Sequence, residues 1–330
     1  MPQFSSLTID DSGKKLSYID SGAPDAANGG SVYTTIIAVH GIEFTSPIFN
    51  KVSALAGAAG MRFVAVNRRE YKGSTPFSDA EKAVLTNGTD EQKLQWLRDR
   101  GNELATGGVA LLGWSMGVST TIATIANVDS FAPDIQLSLG SHLRAHIMHE
   151  PPTVALGLPR PPKLWTPRLD ESLPMKTRIS YMTRWLTSYF AHGDLSTRDL
   201  DAIEYVLPST SRIPTLWNMS SQEIADIVDE GPHLVVDAPL LFNCYPQAAA
   251  TYKKGTYNAA ARALLPKMKI WELMGDATAA VSLCTFWILQ DDDAAHGGGF
   301  INFKVIPGHN HFDMWDDPKE TLQAYLEMLA

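Results

Sequence analysis

Short apolar blocks alternate with longer helix-like stretches along the first half of the chain. TTIIAVHG (34–41) and RFVAVNRR (62–69) are β-branched and of strand length, and the helix-like IFNKVSALAGAAG lies between them. Continuous apolar runs of this length suit strands buried on both faces, so the alternation predicts a parallel sheet covered by helices. Upstream, residues 3–20 read as an antiparallel strand pair turning between Asp10 and Gly13. Ser78 with Glu81 makes a capping-box pattern and predicts a long helical stretch running to about Thr106. Strand-like GGVALLG (107–113), RAHIMHE (144–150), KIWELMG (269–275) and FKVIPG (303–308) complete the series.

Between Pro151 and about Lys267 the alternation stops. Seven prolines fall within residues 151–174, and aromatic, methionine-containing helical stretches such as ISYMTRWLTSYF follow. Because sheet-like strands resume afterwards, the pattern predicts a core built from residues 1–150 and 268–330, with a helical cap at 151–267. Most of the cap's large apolar side chains are expected to form its own core and a minority to line a substrate pocket.

Composition narrows the function classes. A chain of 330 residues, 45% hydrophobic and 19% charged, is long enough for one large α/β domain with an insertion. The formal net charge of −9 argues against nucleic acid or an anionic membrane as partner. Cys244 and Cys284 cannot make a disulfide framework or a structural zinc site. The first residues lack a signal-peptide core and no run is long enough to span a bilayer, so the expected location is cytoplasmic. The sequons at Asn87 and Asn218 are then coincidental. The expected partner is a small molecule, with homodimerisation left open.

The chemistry centres on LLGWSMGVST (111–120), which holds Gly113-Trp114-Ser115-Met116-Gly117. Gly-x-Ser-x-Gly alone is a modest signal, and its bland reading is a small residue in a tight turn. Here an apolar strand precedes it and a small-residue helix follows, the context of a nucleophile elbow. A serine hydroxyl must hand its proton to a base oriented by a carboxylate. His309 and His311 in VIPGHNHFDMWDDP are the candidate bases.

These features resemble the α/β-hydrolase family from about residue 3 onward. The resemblance implies a mostly parallel sheet flanked by helices, and it places the base after the last strand in a Pro-Gly-x-x-His-Phe-like context. His311 fills that place, which leaves His309 as a loop residue or pocket donor. The family's oxyanion hole maps onto the backbone N–H of Met116 and one from the loop after strand three, where His40-Gly41 precedes Ile42; Glu43 is the alternative donor. NRREYKGSTP (67–76) resembles the loop after strand four, with Arg68 and Arg69 read as ion-paired or solvated. HGGG (296–299) imitates a lipase oxyanion motif but falls too late in the chain, and reads as a loop.

The acid departs from the usual pattern. Most relatives carry Gly-x-x-Asp after strand seven, whereas Gly275-Asp276-Ala277-Thr278 puts threonine at that spacing. Glu150, in IMHEPPT, ends strand six. This is similar to fungal-type, zearalenone-lactonase-like members whose acid follows strand six, and it implies a Ser115, His311, Glu150 triad with Asp276 as the alternative acid. The competing reading of Glu150 is a carboxylate that caps the entry to the insertion. His146-x-x-His149-Glu150 matches no zinc motif, and strand geometry would spread its side chains. The expected function is hydrolysis of an ester or lactone of a moderately apolar small molecule, with no cofactor and no metal. Transacylases, cyclases, carbon–carbon bond hydrolases and lyases keep the same triad and remain open, as does a non-catalytic ligand-binding protein. Relatives that need an aspartate nucleophile are excluded by Ser115.

Overall fold

The computed structural model describes residues 4–24, 33–104 and 110–330. Its strands are β1 (Ser5–Thr8), β2 (Lys15–Asp20), β3 (Thr34–Val39), β4 (Met61–Val66), β5 (Ala110–Trp114), β6 (Ala145–His149), β7 (Lys269–Gly275) and β8 (Ile301–Ile306). They form one sheet in the order β1-β2-β4-β3-β5-β6-β7-β8. β1 and β2 pair antiparallel, β2 joins β4 antiparallel, and all pairings from β4 to β8 are parallel. This is the α/β-hydrolase fold: β5 and β6 are buried along their whole length, as strands covered on both faces must be.

Local sequence signals account for the flanking helices. Ser78 Oγ accepts from Glu81 N while the Glu81 carboxylate accepts from Ser78 N, so the capping box is formed. The predicted long helix is two, Asp79–Asn87 and Asp90–Leu104, because Gly88 leaves the helical conformation and the Thr89 hydroxyl accepts from Gln92 N to start the second. Its expected end at Thr106 lies outside the described residues. The helix Gly117–Ala126 is buried at every position. Its approach is so close that a Cβ on Gly117 would lie 2.1 Å from Val39 O, and one on Gly113 would lie 2.5 Å from Val118 Cα. Both glycines of the serine motif are therefore demanded by the packing of helix on sheet.

Between β6 and β7 the prolines break the chain into short pieces. The turns Thr153–Leu156 and Pro167–Leu169, the helices Met175–Leu186 and Ser221–Ile227, and the pair His233–Asp237 and Ala238–Asn243 follow one another. The helix Tyr245–Tyr257 behaves differently. A Cβ on its Gly255 would lie 3.0 Å from Ile122 Cδ1, and Tyr252 joins Ile122 and Ile125 in one apolar cluster. That helix, inside the insertion expected at 151–267, packs on the layer covering the sheet. The amphipathic pattern marks a helix but does not say against which surface it packs. The glycines at 297–299 are exposed, and the amides of Gly299, Phe300 and Ile301 donate to the Asp293 carboxylate. No helix among the described residues is long and apolar enough to cross a membrane.

Candidate active site

The site begins at two neighbouring strand ends. Ser115 follows β5 with φ 54°, and Glu150 follows β6 with φ 51°. Side-chain-bearing residues adopt this left-handed region at a cost, so the surrounding structure must hold them there. Hydrogen bonds do so: Ser115 N donates to His149 O and Glu150 N to Leu273 O, each at 2.9 Å, extending the parallel ladder one step past the strands. A hydroxyl and a carboxylate thus leave the sheet side by side.

Glu150 is fully buried and His311 is 2% exposed. His311 Nδ1 lies 2.6 Å from Glu150 Oε2, which also accepts from Thr278 Oγ1 at 2.5 Å, while Oε1 accepts from Gly275 N at 2.8 Å. Burial pushes the Glu150 pKa up, but the hydrogen bond and charge of His311, the charge of His149 and the Thr278 hydroxyl bring it below its ordinary value. The carboxylate is held ionised in a dry place. Thr278, at the spacing where an acid is expected, instead donates to Glu150 from the end of the next strand. Asp276 is directed elsewhere, its Oδ1 accepting from Gly308 N at 2.5 Å.

The imidazole is fixed from the serine motif as well. Trp114 Nε1 donates to His311 O at 2.9 Å, and the two rings lie 4.9 Å apart. With Nδ1 on the carboxylate, Nε2 is the ring nitrogen left for the cavity that His311 shares with Ser115. No hydrogen bond joins the serine to the ring among the described residues, and triads often tighten only around substrate. His309 lies instead 3.4 Å from Asp317 and does not line that cavity.

Around this centre lies a second buried layer. His149 Nδ1 is 2.9 Å from Tyr325 Oη, and Nε2 is 3.3 Å from Asp313. Burial lowers the His149 pKa, but Asp313 and the charge of Glu150 together raise it above its ordinary value. His146 pairs with Thr121 Oγ1, so the two histidines do not converge. No cluster suited to a metal ion exists among the described residues.

The loop after β3 faces the elbow. Glu43 N donates to Tyr71 Oη at 3.1 Å, which commits that amide, whereas Ile42 lines the cavity beside Ser115 and Met116. Met116 stands at the N-terminal end of the helix Gly117–Ala126, where the helix dipole favours negative charge. Arg68 braces the loop by donating to Gly41 O and to Asp237, each at 2.8 Å, and Tyr71 Oη donates to Asp237 too. Burial and the Arg68 charge hold His40 neutral, so its Nδ1–H donates to Gly41 O while Nε2 accepts from Arg68 N. Arg69 pairs with Glu81. The sequence carries no sign of Tyr71 and Asp237 at this site, since nothing local links residues so far apart.

The cavity encloses about 120 Å³ and its walls are largely apolar, including Leu164, Met182, Leu186 and Val281. Above Ile42, the carboxylate of Glu43 is fully buried against Arg168 (2.8 Å), Thr183 (2.9 Å) and His233 (3.4 Å). Burial pushes the Glu43 pKa up to about 6 despite Arg168 and Thr183, and burial takes His233 down to about 4.

Residues 36–324 match the profile of the Alpha/beta hydrolase family. Among solved structures, the chain is similar to a thioesterase domain from the curacin biosynthetic pathway, with 14% identity over 98% of this chain and 99% of that one and a TM-score of 0.55. It is also similar to a serine hydrolase involved in carbazole degradation, with 14% identity over 99% of both chains and a TM-score of 0.51. At these identities the likeness shows the fold alone. No curated protein is found to match the chain.

Proposed function

Because this chain belongs to the alpha/beta hydrolase family, we propose that it is a serine hydrolase cleaving an ester or lactone bond of a moderately apolar small molecule. The observation that carries this reading is the 2.6 Å contact between His311 Nδ1 and Glu150, at the edge of a cavity shared by His311 and Ser115. Ser115 Oγ attacks the carbonyl carbon and His311 Nε2 takes its proton. The imidazolium then donates to Glu150, whose fixed charge offsets the new one. The tetrahedral oxygen is met by the amides of Ile42 and Met116. The proton passes from His311 to the leaving alcohol, and water, activated by the same nitrogen, releases the acid. An apolar wall supports an apolar substrate, since burying an unpaired charge against it is costly. The acid after β6, with Thr278 at the spacing usual for it, supports the fungal, zearalenone-lactonase-like type. Within the insertion expected at 151–267, the residues before Tyr245 act as the cap.

Ser115→Ala is expected to lose turnover of medium-chain p-nitrophenyl esters and labelling by a fluorophosphonate probe, with its thermal unfolding unchanged. Persistent turnover in that variant would remove the reading.

A further inference from the structure

The roof of the cavity contains a cation that the proposed reaction does not use. Arg168 lies in the turn Pro167–Leu169 and lines the cavity with a side chain 15% exposed. Its Nη2 donates to Glu43, but its Nε–H is buried and has no acceptor among the described residues. A buried donor left unpaired is unfavourable, and a guanidinium offers its donors in a rigid fork. One arm of that fork is tied to Glu43, while Nη1, which also has no hydrogen bond but is not buried, and the Nε–H remain unpaired among the described residues. No carboxylate lines the cavity among the described residues, so the missing acceptor is not supplied by its walls.

The charge balance says what kind of acceptor fits. Glu43 is fully buried and 2.8 Å from the guanidinium, so the positive charge is already offset. His233 beside them stands neutral because burial lowers its pKa. An incoming carboxylate would lose its hydration and meet a neutral pair, with the exposed Arg160 the one further Lys or Arg lining the cavity among the described residues. A carbonyl oxygen sheds far less hydration and needs only the donor.

Deepening the ester or lactone reading above, on which it rests, we propose that Arg168 is a specificity-determining residue that binds an uncharged carbonyl oxygen of the substrate, separate from the scissile one. The substrate is then an apolar ester or lactone bearing a second carbonyl, such as a ketone or amide. Its apolar portion meets Leu164, Met182 and Leu186, and the extra carbonyl accepts from the unpaired guanidinium edge.

The test uses p-nitrophenyl esters of straight-chain acids, each compared with counterparts carrying one keto group at successive positions, and with ω-carboxylate counterparts. At one keto position, wild-type kcat/KM is expected to exceed that of the parent ester by roughly 10- to 100-fold, the worth of a hydrogen bond to a charged donor. In Arg168→Met this ratio falls to about 1. Since that variant leaves Glu43 buried without its partner, Arg168→Met/Glu43→Gln is measured beside it and should give the same ratio. A keto preference that survives both variants, or is absent at every position, overturns the proposal. A preference for the carboxylates that depends on Arg168 also overturns it, in favour of an anion site. If wild type cleaves none of these esters, the hydrolase reading fails by itself. Binding of keto and parent esters to Ser115→Ala, measured by calorimetry, then still decides the role of Arg168.

Discussion

Two glutamates on adjacent strands are both fully buried, yet their surroundings treat them oppositely. Glu150 stands one residue past the end of β6, where its own amide makes a last ladder bond and side chains and the Gly275 amide converge on its carboxylate. His311, Thr278 and Gly275 all donate to its carboxylate. Glu272 lies inside β7, paired in register with Met148, and neither of its oxygens has a partner. Burial pushes its pKa well above the ordinary value and the charge of Glu150 adds to this, so Glu272 holds a proton while Glu150 holds a charge. Burial alone therefore does not set the state of a carboxyl group; the donors that reach it do. A strand end can gather donors, whereas a strand interior has its amides already engaged.

The largest effect should come from removing the charge at the strand end. Glu150→Gln is expected to lower kcat by roughly a thousandfold or more, by analogy with other orienting acids. Steady-state kinetics on a folded variant checks this, and near-normal kcat would end the assignment of the acid.

At the strand interior the expected change is in stability and has the opposite sense. Glu272→Met replaces an unpaired polar group by an apolar one of similar size and should stabilise the protein by about 2 kcal/mol at neutral pH. The folded pKa of Glu272 lies above the ordinary 4.5, so its contribution is fully present below 4.5 and is lost as pH rises toward the folded value. The advantage of the Met variant should therefore grow with pH across that window. Urea unfolding at pH 5 and pH 8 measures it, and a gain equal at both would show that Glu272 has a partner after all.

Smaller effects would sharpen the contrast. Thr278→Val removes one of the donors on Glu150 and leaves the charge, so kcat should fall about tenfold, with most of it restored in Thr278→Ser. Asp276→Asn should change kcat less than twofold, because that carboxylate is directed to Gly308. A loss in Asp276→Asn larger than that in Glu150→Gln would return the acid to the turn after β7.

Only one side of this contrast is legible in the amino-acid sequence. Set against the α/β-hydrolase pattern that the chain resembles, the threonine at 278 points to Glu150 in IMHEPPT, and the place of the histidine in VIPGHNHF favours His311 over His309. The serine motif is legible because its requirements are local: an apolar strand, two glycines and a small-residue helix within a dozen positions. Glu272 gives no warning, since KIWELMG reads as an ordinary strand whether its glutamate is exposed or buried. The helix Tyr245–Tyr257 falls with the cap in the sequence pattern for a similar reason, because that pattern names a helix but not the surface it covers.

The sequence by itself determined the order of strands and helices and the elbow at Ser115, which depend on periodicity, capping or steric demands acting over a few residues. The short list of bases and acids came from its resemblance to α/β-hydrolases. Only the tertiary structure decided that Thr278 serves Glu150, that Tyr71 takes the Glu43 amide and leaves Ile42 at the cavity, and that Glu43 meets Arg168. Those pairings join residues far apart in the chain, and they arise from side chains filling hydrogen bonds across packed layers, for which sequence spacing carries no period to read.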